Sequence, residues 1–128
     1  MLPPANAVTW FEIPAADFSR AVKFYSEIFA TEIPAHERAD GQPMGFFPCD
    51  FMQGKVGGAI VYNEKHKPSR QGTIVYLNGG EDLSRVLNRV EQAGGTILSP
   101  KEFVSNEIGY VAYFLDSEGN RLALHSSI

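Results

Sequence analysis

Cys49 is the chain's single cysteine. One thiol makes no internal disulfide, and without neighbouring ligands it makes no zinc knuckle. In the stretch MGFFPCDFM it reads as a small buried hydrophobe. A charge excess of one sign is missing too: 11 Lys and Arg stand against 15 Asp and Glu, for a net charge of −4. No basic stripe is present, so nucleic acid is not expected as a partner. No apolar run approaches the roughly 20 residues that span a bilayer, so no membrane partner is expected either. The opening MLPPANAVTW has neither a basic nor an apolar leader region. It reads as no secretory signal, and a cytoplasmic location is expected. Nucleotide signatures are also lacking. Gly57-Gly58, Gly79-Gly80 and Gly94-Gly95 are pairs without G-x-G-x-x-G spacing. Glu81 and Asp82 would repel a phosphate from the helix start that follows the second pair.

What the chain does have is a globular composition, 44% apolar and 20% charged over 128 residues. That suffices for one domain with its own core. Two segments share a pattern. DFSRAVKFYSEIF places apolar residues at Phe18, Ala21, Val22, Tyr25, Ile28 and Phe29, and DLSRVLNRVEQAGG at Leu83, Val86, Leu87, Val90 and Ala93. Both follow the i, i+3, i+4, i+7 rule of an amphipathic helix. Asp17 and Asp82 stand where a cap is needed, and Gly94-Gly95 offers a left-handed exit.

A strand precedes each helix, within VTWFEIP and TIVYLN, and strand-like stretches follow. These are Thr31–Pro34, Met44–Cys49 and Val56–Asn63 in the first half. The second half offers Thr96–Leu98, Tyr110–Leu115 and Arg121–His125. The chain therefore reads as two tandem β-α-β-β-β modules, about 7–63 and 72–126, joined by a polar linker at about 64–71. The expected class is α+β, a curved, cup-like mixed sheet with helices outside. Phe11 and Ile13, like Val75 and Leu77, fall in the parity that lies under the helices. The opposite faces can then surround a hollow, a usual home for a small molecule.

WFEIPAADFSRAVKFYSEIF, VGGAIV, GTIVYLNGGEDLSRVLNRVEQAGG and GYVAYFLDSEGNRLALHS, in that order, resemble the vicinal oxygen chelate superfamily. This superfamily includes glyoxalase I, extradiol dioxygenases and bleomycin-resistance proteins; the small single-domain glyoxalase-like bacterial subgroup is the most similar. Metal-dependent members carry His or Glu ligands on four strands. The resemblance places those positions at Trp10, Gly58 or Ala59, Ile74 or Thr73, and Ala123. None supplies imidazole or carboxylate, so no metal and no cofactor is expected. The resemblance also implies a homodimer.

If Trp10 and Ala123 face the hollow, so do Glu12, Tyr76, Arg121 and His125. Glu12 and His125 are then candidate acid–base groups for removing a proton alpha to a carbonyl. Trp10, Tyr76, Arg121 and Phe47 are candidate ligand-binding residues, although only one of Phe46 and Phe47 can face inward. Arg121 also has an ordinary alternative, a surface pair with Glu118 or Asp116. His36 and His66 lie in polar loop sequence without a special role. Three functions follow: binding of a small organic molecule in an aromatic-lined cavity without metal, a glyoxalase-like lyase or isomerase acting on a small carbonyl compound, and a partner-binding subunit with a vestigial cavity.

Overall fold

The computed structural model describes residues 2–50 and 55–128. Strand β1 (Trp10–Pro14) leads into helix α1 (Phe18–Phe29), followed by β2 (Ala35–Glu37), β3 (Pro43–Phe46) and β4 (Gly57–Val61). The order repeats as β5 (Tyr76–Asn78), the short helices α2 (Ser84–Leu87) and α3 (Val90–Ala93), then β6 (Thr96–Ser105), β7 (Gly109–Leu115) and β8 (Arg121–Ser126). Each half forms its own four-stranded mixed sheet, ordered β1-β4-β3-β2 and β5-β8-β7-β6. The pairing is equivalent in both: β1 lies parallel to β4 and β5 to β8, while the other neighbours are antiparallel. This is the expected duplication in an α+β fold that does not close into a barrel. β1 and β5 are edge strands of their respective sheets.

The Asp17 carboxylate accepts from the Arg20 amide at 3.1 Å, capping α1 as its position predicts. Ala21, Phe24, Tyr25 and Ile28 form the buried stripe of that helix. The second helical segment departs from expectation. Instead of one helix it breaks between Leu87 and Val90, and the amides of Arg85, Val86 and Arg89 bond carbonyls three residues back. That tighter winding satisfies the backbone in short pieces. Its apolar spacing survives the break, because Leu83, Val86, Leu87 and Val90 are all buried. Gly94, at φ 110°, supplies the left-handed exit.

Several strands differ from their expected bounds: β3 ends at Phe46 rather than Cys49, β5 begins only at Tyr76, and β2 and β6 depart furthest. β2 starts at Ala35, beyond the Thr31–Pro34 stretch, and Ile33 turns into the core instead. β6 runs ten residues rather than ending at Leu98, and it continues through Pro100. Proline is tolerated there because β6 is an edge strand, and the register shifts along it blunt that edge. Cys49 is half-buried rather than buried, and its thiol donates to the Val56 carbonyl at 3.3 Å.

One apolar cluster joins the halves. It takes Ile13, Phe24, Tyr25, Ile28 and Ile60 from the first, and Leu77, Leu83, Val90, Phe114, Leu122 and Leu124 from the second. Phe24 packs near Phe114, with ring centroids 6.2 Å apart. The turn from Asp116 to Asn120 pins the junction, with Gly119 at φ 87° as the turn requires. Its Glu118 carboxylate has a fully buried side chain and accepts from the Ala16 and Asp17 amides at 2.8 and 2.7 Å. Arg20 Nε donates to the same carboxylate at 2.7 Å. Asp116, also buried, accepts from the Tyr25 hydroxyl at 2.7 Å, and Asn120 Nδ2 donates to the Pro14 carbonyl at 2.7 Å. The partner of Glu118 is thus Arg20, across the module boundary, and not Arg121.

Candidate functional site

Strand parity decides which side chains are available for a site. In the first sheet Glu12 pairs with Ala59 and Ala59 with Phe46; in the second, Tyr76 pairs with Ala123 and Ala123 with Tyr113. These equivalent rows lie on the faces turned away from the helices. The methyls of Ala59 and Ala123 are fully buried between their larger neighbours.

A cavity of about 910 Å³ opens where edge strands β1 and β5 approach each other. Trp10, Phe11, Phe29, Phe47, Val75 and Tyr76 supply its apolar wall, and Thr31, Thr73 and Asn78 its polar points. No Asp, Glu, His, Lys or Arg side chain is among the described residues that line it. Trp10 meets Phe46 edge-on at 6.0 Å between centroids, and its indole N–H donates to Glu12 Oε2 at 3.3 Å. Tyr76 and Tyr113 share a 2.6 Å hydroxyl–hydroxyl hydrogen bond. That bond, with a smaller contribution from burial, holds the Tyr76 phenol above its ordinary pKa.

The expected site residues are only partly brought together. Trp10, Tyr76, Phe47 and Ile74 all border the large cavity. Phe47 reaches it from the core side: it is 8% exposed and packs on Phe11, Tyr25 and Phe29, while Phe46 shares the Trp10 face. His125 borders a second depression beside Tyr76, and its Nε2 contacts the Ile108 carbonyl. Glu12 and Arg121 border a third, of about 180 Å³. The expectation that Glu12 and His125 meet in one hollow therefore does not hold within the single chain. Arg121 Nη2 donates to the Gly72 carbonyl at 2.8 Å, in place of the surface pair with Glu118 or Asp116. Sequence reasoning missed Phe11 and Phe29, because strand parity placed Phe11, and helical spacing Phe29, in the core-facing sets. They do lie there, and the gap between the two sheets exposes them to the cavity.

The positions matching the metal ligands of the metal-dependent relatives offer little coordinating chemistry. Trp10, Ala59, Ile74 and Ala123 present an indole, two methyls and a branched alkyl group. None donates an electron pair to a divalent cation, so these residues do not fit a metal in the manner of the metal-dependent relatives. Among the described residues, no three His, Cys, Asp or Glu side chains gather as a metal site.

Residues 7–124 match the model of the glyoxalase/bleomycin resistance protein/dioxygenase superfamily. The chain belongs to that superfamily. A glyoxylase-like domain-containing protein of Didymella fabae is 28% identical over 123 residues, covering 91% of each chain. Among solved structures, a glyoxalase/bleomycin resistance protein from Albidiferax ferrireducens T118 is similar at a TM-score of 0.72 and 15% identity, covering 93% of this chain and 97% of that one. The E144Q mutant of glyoxalase I from Zea mays is similar at a TM-score of 0.69 and 16% identity; 93% of this chain matches 46% of that one. These likenesses concern the fold. Among the described residues, no helix of this superfamily member is long and apolar enough to cross a membrane.

Proposed function

We propose that this protein binds a small, flat organic molecule in the cavity between β1 and β5, without a metal ion and as a homodimer in the cytoplasm. The observation that carries the reading is the aromatic wall of Trp10, Phe11, Phe29, Phe47 and Tyr76 around about 910 Å³. A mostly apolar hollow with a few fixed polar groups is what a small-molecule site needs. Trp10 offers a face for stacking, and Asn78 and Thr73 offer hydrogen bonds that fix orientation. Val8 and Tyr76 line the same cavity while 54% and 49% exposed. A second copy seated over these residues would remove that apolar surface from water.

A lyase or isomerase acting on a small carbonyl compound is the second reading. It draws on Glu12 and Arg121 sharing the smaller depression, an acid–base group beside a cation. Binding is favoured because no Asp, Glu, His, Lys or Arg side chain is among the described residues that line the larger cavity. The test is ligand-induced stabilisation of untagged, chelator-treated protein against a panel of flat aromatic and carbonyl compounds. Stabilisation that survives chelation and is lost in Trp10→Ala and Tyr76→Ala is expected. Binding only after metal is restored, or binding indifferent to both substitutions, would overturn the proposal.

A further inference from the structure

The linker NEKHKPSRQG holds Lys65, His66, Lys67 and Arg70 close together in a chain of net charge −4. It is not loose cover. The Ser69 amide donates to Asn120 Oδ1 at 2.9 Å, and the Ser69 carbonyl accepts from the Arg121 amide at 3.4 Å. These bonds lay the linker along the start of β8 and beside the end of β1. Lys67, Ser69, Gln71 and Thr73 then line the smaller depression together with Glu12 and Arg121.

Arg121 is the unusual member. Its Nε is buried and meets no protein acceptor among the described residues, although Nη2 of the same guanidinium is bonded to Gly72. A buried donor on a permanent cation has a strong demand for an anionic acceptor. Glu12 does not meet it, because its carboxylate is turned to the Trp10 indole at 3.3 Å. The depression also abuts the aromatic cavity, since Thr73 and Val75 line both.

We infer that this depression is an oxyanion subsite, in which Arg121 and Lys67 receive the carboxylate or phosphate of the ligand whose flat body lies in the aromatic cavity. The inference rests on the binding function proposed above. Ser69 Oγ, Gln71 and Thr73 add neutral donors around the two cations. Glu12, which lines the same depression, opposes an incoming anion and so limits affinity.

The test uses calorimetric titration with ω-phenylalkanoates of increasing chain length, their primary amides and the matching phenylalkyl phosphates, together with acetate and inorganic phosphate alone. Acids or phosphates are expected to bind about tenfold more tightly than amides, the scale of one charge-assisted contact. Arg121→Gln and Lys67→Gln should each cut that preference, and Glu12→Gln should raise it. Lys67 is exposed, so its substitution tests the subsite even if Arg121→Gln perturbs folding. The ratio of phosphate to carboxylate affinity tells the two oxyanions apart. Equal binding of acids and amides would overturn the subsite and leave the aromatic cavity standing. An anion preference that survives both cation substitutions would overturn it as well. If no aromatic compound binds but acetate or phosphate does, lost on Lys67→Gln, the cavity reading fails and the subsite stands.

Discussion

Replacing Glu118 by Gln removes one charge from the centre of the module junction. The carboxylate accepts from two backbone amides, at 2.8 and 2.7 Å, from Arg20 at 2.7 and 3.1 Å, and from the Ser117 hydroxyl at 2.9 Å. Gln keeps a single acceptor oxygen and turns an N–H₂ toward donors. Hydrogen bonds to a buried charge contribute about 1.5–3 kcal/mol each, but Arg20 is half exposed and regains water when released. A net loss of about 2–3 kcal/mol follows, a large share of the roughly 5–15 kcal/mol that stabilises a domain. For a chain of this size that lowers the melting temperature by about 6–15 °C. Burial alone would raise the Glu118 pKa, yet Arg20 and the backbone donors outweigh it and hold the carboxyl below its ordinary value. A group with a lowered folded pKa contributes stability above its unfolded pKa and loses it as pH falls through the folded one. The gap between wild type and Glu118→Gln should therefore be full at neutral pH and close as pH falls below about 4. Urea unfolding across that range measures it. A gap under about 0.5 kcal/mol at neutral pH, or one that widens in acid, would refute the clamp.

Two further substitutions test the same packing. Tyr25→Phe deletes the hydroxyl that donates to Asp116 at 2.7 Å inside the core and should cost about 1.5–3 kcal/mol in urea unfolding, with the slope unchanged. Gly95→Ala would place a methyl 2.5 Å from the Leu115 carbonyl and 2.8 Å from the Phe24 ring. Because the carbonyl belongs to β7, the strand must shift; a loss of about 1–3 kcal/mol is expected, and a neutral result would show that this junction is looser than described.

The fold was legible because its signals are local. Asp17, the Ala21–Ile28 stripe and Gly94 each act within one turn or one helix, and each occupies its predicted place. Leu122 and Leu124 also point into the core, as strand parity requires. The failures are all of longer range. The break between Leu87 and Val90 carries no proline or glycine to announce it. The extension of β6 through Pro100 depends on that strand lying at a sheet edge, which only tertiary pairing determines. For the site, parity put Glu12, Tyr76 and Ala123 on the faces away from the helices, where their pairing rows lie. It carries no information on how two sheets approach, so it could not separate the depressions that hold Glu12 and His125. Nor could it assign Glu118 to Arg20, ninety-eight residues away in the chain.

On the proposed reading, the aromatic cavity receives a ligand without a metal. The most direct test is a crystal structure of chelator-treated protein grown with an aromatic compound that stabilises it. The compound is expected between β1 and β5, against Trp10 and Tyr76, with no metal in contact. A compound bound through a metal ion, or bound elsewhere while side chains fill this cavity, would contradict that reading.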